Sequence, residues 1–385
     1  MDRRFQWSLL EYRHTEKSCF FDEYIWANEP ELRAYVRRET GLQEVLSSIE
    51  SEWNQILKMM DWVNNLSAHQ GINEAPDLGA LQLLQGVQAG TVTFRCVEFA
   101  HMFQHILSAY GIPARVIGVR RPDSHIGLGK GHVVVDVWSN DFQKWIVLDP
   151  QLNTFYTDHK GTPLSVFELH DRVRAGMFDD IIMSRGSELS VELDGVEARD
   201  NTNYDSLEVP VGFERDEIWE SLPEHGDFAG FVRFWQEYYH QFVVRRTYRF
   251  NRAKSESGSS GGNELYYYAS HEMPPIVFQR MRQTCEYTCE RSKIDFPING
   301  AEIQWTPIEV TEETPIEDTR RITLHLKHSM PWFDHFDVIA NGEHFRLNKN
   351  ETDIQLQADE NCISITPVND SGRRGSTSVV KMYVN

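Results

Sequence analysis

The stretch GTVTFRCVEFAHMFQHILSAYGIPARVIGV (residues 90–119), followed by KGHVVVDVWSNDFQKWIVLDPQ (130–151), decides how this chain is read. Its first half opens an amphipathic helix at Cys96. At about 100° per residue, Cys96, Phe99, Ala100, Met102, Phe103, Ile106, Leu107 and Tyr110 share one broad face. Glu98, His101 and His105 fall opposite and are expected on the outer side. Gly111 stops the helix and Pro113 lies beyond it, as C-terminal signals do. ARVIGV, HVVVDVW and KWIVLD are short β-rich runs separated by turn-forming residues, expected as strands of one antiparallel sheet. Along GHVVVDVW, His132, Val134, Asp136 and Trp138 occupy one face and the intervening valines the other. A short SNDFQ turn would fold the next strand back and return Asp149 to the neighbourhood of His132.

These positions suit thiol chemistry. A thiol is a poor nucleophile until it ionises, and a helix N-terminus beside an imidazole makes that ionisation easier. An aspartate can hold the imidazole in a productive tautomer. A single cysteine is more often a small buried hydrophobe. Three such residues in this order, each on its expected element, make Cys96, His132 and Asp149 the candidate catalytic set. The backbone N–H of Cys96 is a candidate oxyanion donor, and Gln85 and Gln88 are side-chain candidates because they lie upstream.

Residues 1 to about 90 read as mainly helical, with Trp53, Ile56, Leu57, Met60, Val63 and Leu66 at helical spacing. A second short helix is expected from an Asp77 N-cap to Gly90. Three regions result: 1–160 as the core with its helical N-terminal part, 161–297 as a mainly helical extension, and 298–385 as a β-sandwich. Within the extension, SVFELHDRVRAGMF and FAGFVRFWQEYYHQFVVRRTYRF read as helices, the aromatic run from Phe231 to Tyr248 as packed core in preference to the lining of a substrate groove. KSESGSSGGNE (254–264) reads as a loop. Cys285 and Cys289 are expected on one helix face with Phe278 and Met281, in core packing. In the last region Ile322, Leu324 and Leu326 alternate, as do Ile363 and Ile365, and Asn341-Gly342 is a hairpin signal.

With 58 acidic against 38 basic residues, the net charge of -20 disfavours nucleic acid or an anionic membrane as the main partner. No run reaches the roughly 18 apolar residues of a membrane span. Five cysteines, an odd number, do not form a disulfide framework. The N-terminus carries no signal-peptide core, so a reduced, cytoplasmic protein is expected. His101 and His105 are spaced i, i+4, but HMFQH lacks the glutamate of a zincin motif. Asp194, Asp200 and Asp205 read as a solvated acidic loop. No metal and no cofactor are expected.

The central stretch resembles the core of the transglutaminase-like superfamily. The likeness lies in Cys96 at a helix start, Ala109-Tyr110-Gly111-Ile112-Pro113-Ala114-Arg115 at its exit, Gly131-His132 opening a strand, and Trp145 to Pro150 closing the next. It covers roughly residues 50 to 155. It implies an α+β papain/transglutaminase-like core, with helices packed on an antiparallel sheet. It also implies Cys96 as nucleophile, His132 as general base and acid, and Asp149 as the orienting residue. Asp136 matches an acidic residue common four positions after the histidine. Arg95 and Val97 stand where many animal transglutaminases carry other residues beside the cysteine. The calcium loop and zinc-binding CxxC pairs of some relatives are missing. The expected function is cysteine-dependent acyl transfer on amide or peptide bonds of a peptide or protein substrate, hydrolysis slightly favoured over amine transfer. A peptide- or carbohydrate-binding protein that retains the fold is the alternative, and arylamine acyl transfer ranks lower.

Overall fold

A computed structural model describes residues 6–26, 29–67, 78–121, 131–186, 233, 235–248, 264–268, 285–308 and 320–385. Its elements in chain order begin with β1 (Trp7–Arg13), β2 (Ile25–Trp26), α1 (Pro30–Thr40), α2 (Leu42–Ser47), α3 (Glu52–Asn64), α4 (Ala80–Gln88) and α5 (Cys96–Ala109). The sheet elements β3 (Ala114–Arg120), β4 (Gly131–Ser139), β5 (Lys144–Asp149) and β6 (Thr154–Thr157) follow. Next come α6 (Val166–Arg174), β7 (Ile182–Arg185), β8 (Gln241–Arg245), β9 (Thr247–Tyr248), β10 (Glu264–Tyr267) and β11 (Cys285–Thr288). The last are β12 (Ala301–Pro307), β13 (Arg321–His328), β14 (Phe333–Ala340), β15 (Glu343–Leu347), β16 (Glu351–Gln355), β17 (Asp359–Asn369) and β18 (Ser378–Val384).

The chain divides into two compact units, residues 24–294 and the terminal segments 1–23 with 295–385. The first is built on an eight-stranded sheet in the order β11-β10-β8-β3-β4-β5-β6-β7. β3, β4 and β5 pair antiparallel, Val116 opposite Val135 and Val137 opposite Ile146. α5 packs on this sheet against β3 and β4, while α1, α3 and α4 pack against α5 from other directions. Burial therefore runs all round α5. Phe99, Phe103, Ile106 and Leu107 join the main core, and Glu98, His101 and His105 are buried too. This corrects the expected outer position of the two histidines. The helical wheel separates polar from apolar residues, but a helix between a sheet and other helices has no outer side. Position α3 is started by Ser51, whose hydroxyl accepts from the Asn54 backbone N–H.

Among the described residues of 161–297 the expected mainly helical extension is corrected. There α6 is helical, as are Arg233, Trp235 and Gln236 at the start of the aromatic run, but β7, β8, β10 and β11 extend the core's own sheet. The aromatic run turns through a short 3₁₀ segment, Glu237–His240, into β8. Its β-branched and aromatic residues pair with β3 across the sheet, which overrides a helical reading of their spacing. Cys285 opens β11 rather than lying on a helix, and Cys289 is exposed rather than in a core. Asp77, Phe231, Phe278, Met281, Asp194, Asp200, Asp205 and the tract 254–263 lie outside the described residues.

The second unit is a β-sandwich of a five-stranded sheet, β1-β18-β17-β14-β15, and a three-stranded sheet, β12-β13-β16. Its core draws Ile303, Ile322, Leu324 and Leu326 from one sheet and Phe336, Val338, Ile363, Ile365 and Val380 from the other. Asn341 and Gly342, with φ of 52° and 90°, form the tight turn joining β14 to β15. β1 lies in this unit, paired antiparallel with β18, not in a helical N-terminal part. Non-local pairing with the last strand of the chain decides that placement.

Candidate active site

Cys96 occupies the first turn of α5, where the first backbone N–H groups have no intrahelical partner. The turn is braced by Glu98. Its carboxylate accepts from the backbone N–H of Arg95 at 3.0 Å and from the Arg95 guanidinium at 3.1 Å. At the other end, the buried Arg33 and its neighbour Arg37 donate to the carbonyls of Ser108 and Ala109. Cations at that end suit the helix dipole. The chain then enters β3 through Gly111, whose φ of 74° needs glycine's freedom.

α5 turns back into β3, which packs against it, so the start of α5 lies toward the end of the sheet where β4 begins at Gly131 and His132. Continuing the β4–β5 register puts Asp149 opposite Val134, one same-face step from His132. There the His132 Nε2–H donates to Asp149 Oδ2 at 2.6 Å, with both side chains buried. The other carboxylate oxygen, Oδ1, accepts from the backbone N–H groups of Gln151 and Leu152 at 3.0 and 3.2 Å. Asn64 on α3 fastens the same turn by donating to the carbonyls of Pro150 and Gln151, and Asp61 accepts from Asn153. The aspartate is thus held from the helix layer as well as by its own strand.

Cys96 is half-buried, and its side chain is within hydrogen-bonding reach of the His132 ring. Since Nε2 is committed to Asp149, Nδ1 is the nitrogen left for the thiol. Burial disfavours a charged imidazole here, but the Asp149 carboxylate and its hydrogen bond outweigh it, with Cys96 adding to the same effect. The ring is pushed up to about 10. The expected residues Cys96, His132 and Asp149 are therefore brought together. Gln85 and Gln88 are exposed on α4.

Asp136, on the same β4 face, belongs to a different arrangement. Arg115 Nε and Nη2 bond its Oδ2 at 2.9 and 2.7 Å, and Arg115 Nη1 reaches the carbonyl of Ile294 at 2.8 Å. The guanidinium lies 3.9 Å from the Trp145 ring centroid. His105 Nδ1–H donates to the His101 carbonyl, and burial holds its ring down at about 4, as suits a neutral packed histidine. Among the described residues no group of three or more His, Cys, Asp and Glu could hold a metal ion, and no helix is long and apolar enough to cross a membrane. Trp235 and Tyr238, both beside His132, were not foreseen. They are distant in sequence, and only the aromatic richness of their run hinted at a site.

Residues 41–150 match the profile of the Transglutaminase-like superfamily. A solved structure from Cytophaga hutchinsonii, proposed to be a cysteine protease, is 18% identical over 36% of this chain and 39% of its own, with a TM-score of 0.24. This chain thus spans well under half of that protein's length. Red sea bream transglutaminase is 12% identical over 86% of this chain and 68% of its own, with a TM-score of 0.22. No curated protein matches the chain. The profile match falls on the segment that carries the Cys96 helix, the His132 strand and the Asp149 strand, so residues 41–150 are similar to the core of the Transglutaminase-like superfamily.

Proposed function

We propose that this protein is a cysteine-dependent acyl-transfer enzyme acting on amide or peptide bonds, with Cys96, His132 and Asp149 as its catalytic residues. The observation that carries the reading is the buried His132–Asp149 bond of 2.6 Å on a ring that Cys96 also reaches. The similarity of residues 41–150 to that superfamily's core supports a cysteine-type enzyme in general. His132 takes the Cys96 thiol proton and so frees the sulfur at the start of α5 to attack. Attack on a carboxamide or peptide carbonyl forms the C–S bond and places negative charge on the carbonyl oxygen. The Cys96 backbone N–H is the candidate donor to that oxygen. Collapse breaks the C–N bond, and the His132 proton leaves with the amine. Water, deprotonated by the now neutral His132, then releases the acyl group as a carboxylic acid. An amine acceptor would instead give a new amide. We favour water slightly, because it needs no dedicated subsite.

The test is the alkylation rate of Cys96 against pH, with peptide mapping, in the native protein and in His132→Ala. A plateau reached well below pH ~8.5, the ordinary thiol value, and lost in His132→Ala, is expected. An ordinary thiol profile in the native protein would overturn the enzyme reading in favour of a binding protein that retains the fold.

A further inference from the structure

The geometry points to Trp235 as a positioning residue for His132: its indole packs against the imidazole and favours the protonated ring bound to Asp149. The inference rests on the acyl-transfer reading for its functional meaning, but its physical content can be tested without it.

The two rings lie 4.9 Å apart between centroids at 56°. Tyr238 stacks on Trp235 at 5.4 Å and 25°, and meets His132 edge-on at 5.8 Å. The placement is firm. Gln236, between the two, is buried and donates to the Ile181 carbonyl at 3.1 Å. Glu237 pairs with Arg121 at 2.8 Å, and the Tyr239 carbonyl bonds His170 Nδ1 at 3.1 Å. Residues 235–240 are therefore pinned against β3, α6 and the strand ends beside the candidate site.

An aromatic face carries negative charge density and attracts a cation more than a neutral ring. An indole against His132 therefore stabilises imidazolium over imidazole. It also keeps water from the short bond to Asp149, and that bond is electrostatically stronger in a dry setting. Among the described residues, Asp149 from β5, Cys96 from α5 and Tyr238 from its own segment are the titratable groups facing the ring. Tyr156 and Tyr239 interact with Asp149, Asp136 acts on Tyr239, and the Arg121 guanidinium lies 5.8 Å from the Tyr238 ring. Trp235 thus acts through the contact of the two rings, not by adding another charge.

The test is the NMR titration of the His132 ring in the full chain, assigned with His132→Gln, for wild type, Trp235→Phe and Trp235→Leu. Loss of the indole in Trp235→Leu is expected to lower the midpoint by about one pH unit. The aromatic ring of Trp235→Phe should restore part of the shift. An unchanged midpoint in a folded Trp235→Leu protein would overturn the inference. Should that variant not fold, wild-type chain labelled with 5-fluorotryptophan carries the test. Fluorine withdraws charge from the ring face with little change of shape, so the midpoint must fall, and a constant midpoint would overturn the inference. An ordinary thiol profile in wild type would count against the enzyme reading alone, since the His132 titration is read separately.

Discussion

Asp149 uses both carboxylate oxygens, one on His132 and one on the backbone of the following turn. Asp149→Asn keeps the shape but removes the charge that stabilises imidazolium. Turnover of an amide substrate is expected to fall on the order of 10³–10⁴-fold, and the stabilisation that the charged pair gives below the folded His132 value is lost as well. Steady-state kinetics beside a melting curve would check this, and turnover near wild type would contradict the role given to Asp149. The sign of the pH effect on the fold follows from the raised value of His132. Its ring titrates near 6.5 when unfolded and at about 10 when folded. The pair's stabilisation is therefore complete below pH 6.5 and is lost as pH rises through 10. In His132→Gln, the fall in denaturation midpoint over that alkaline range should be shallower than in wild type.

At the scale of single elements, α5 buries polar groups along with its apolar face, among them Glu98 on Arg95, Gln104 on the Ala114 carbonyl and His105 on the His101 carbonyl. His105 illustrates the cost of doing so. Its folded value is lowered to about 4 by burial, while the unfolded chain binds a proton near 6.5. Stability from keeping it neutral is thus present above pH 6.5 and drains away as pH falls toward 4. Thermal unfolding of His105→Gln should lose less stability across that acid window than wild type does. Between β3 and β4 the dominant polar tie is Arg115 on Asp136, with the guanidinium against Trp145. Arg115→Met leaves a buried carboxylate without its cation. It is expected to cost about 3–5 kcal/mol, readable as a shift in urea midpoint.

For the whole molecule, the order of residues along the chain and the order of strands in space part company. The first strand belongs with the last, since Trp7 pairs with Val384 and Arg13 with Val379. Removing residues 1–13 should therefore lower the unfolding temperature of the β-sandwich through β18. The pH profile of Cys96 alkylation, a property of the other unit, should stay as it is. Differential scanning calorimetry with peptide-mapped alkylation would separate the two effects. Each unit has its own buried core, which gives that separation its physical basis.

Local pattern alone determined much of the transglutaminase-like core. The Cys96 helix, the three strands after it, the α3 face around Ile56 and Met60, and the Asn341-Gly342 hairpin all follow from periodicity and turn chemistry, which act over a few residues. The proximity of Asp149 to His132 was legible for the same reason, because a short turn leaves one antiparallel return. Tertiary structure decided what depends on distant partners. It buried His101 and His105 by placing elements on every side of α5. It turned the aromatic run from Glu237 onward into a 3₁₀ turn and β8 by offering it the edge of β3. It drew β1 away to the sandwich and brought Trp235 against His132. Side-chain patterning specifies which face of an element is apolar, whereas the partner that covers that face is set by packing across the whole chain.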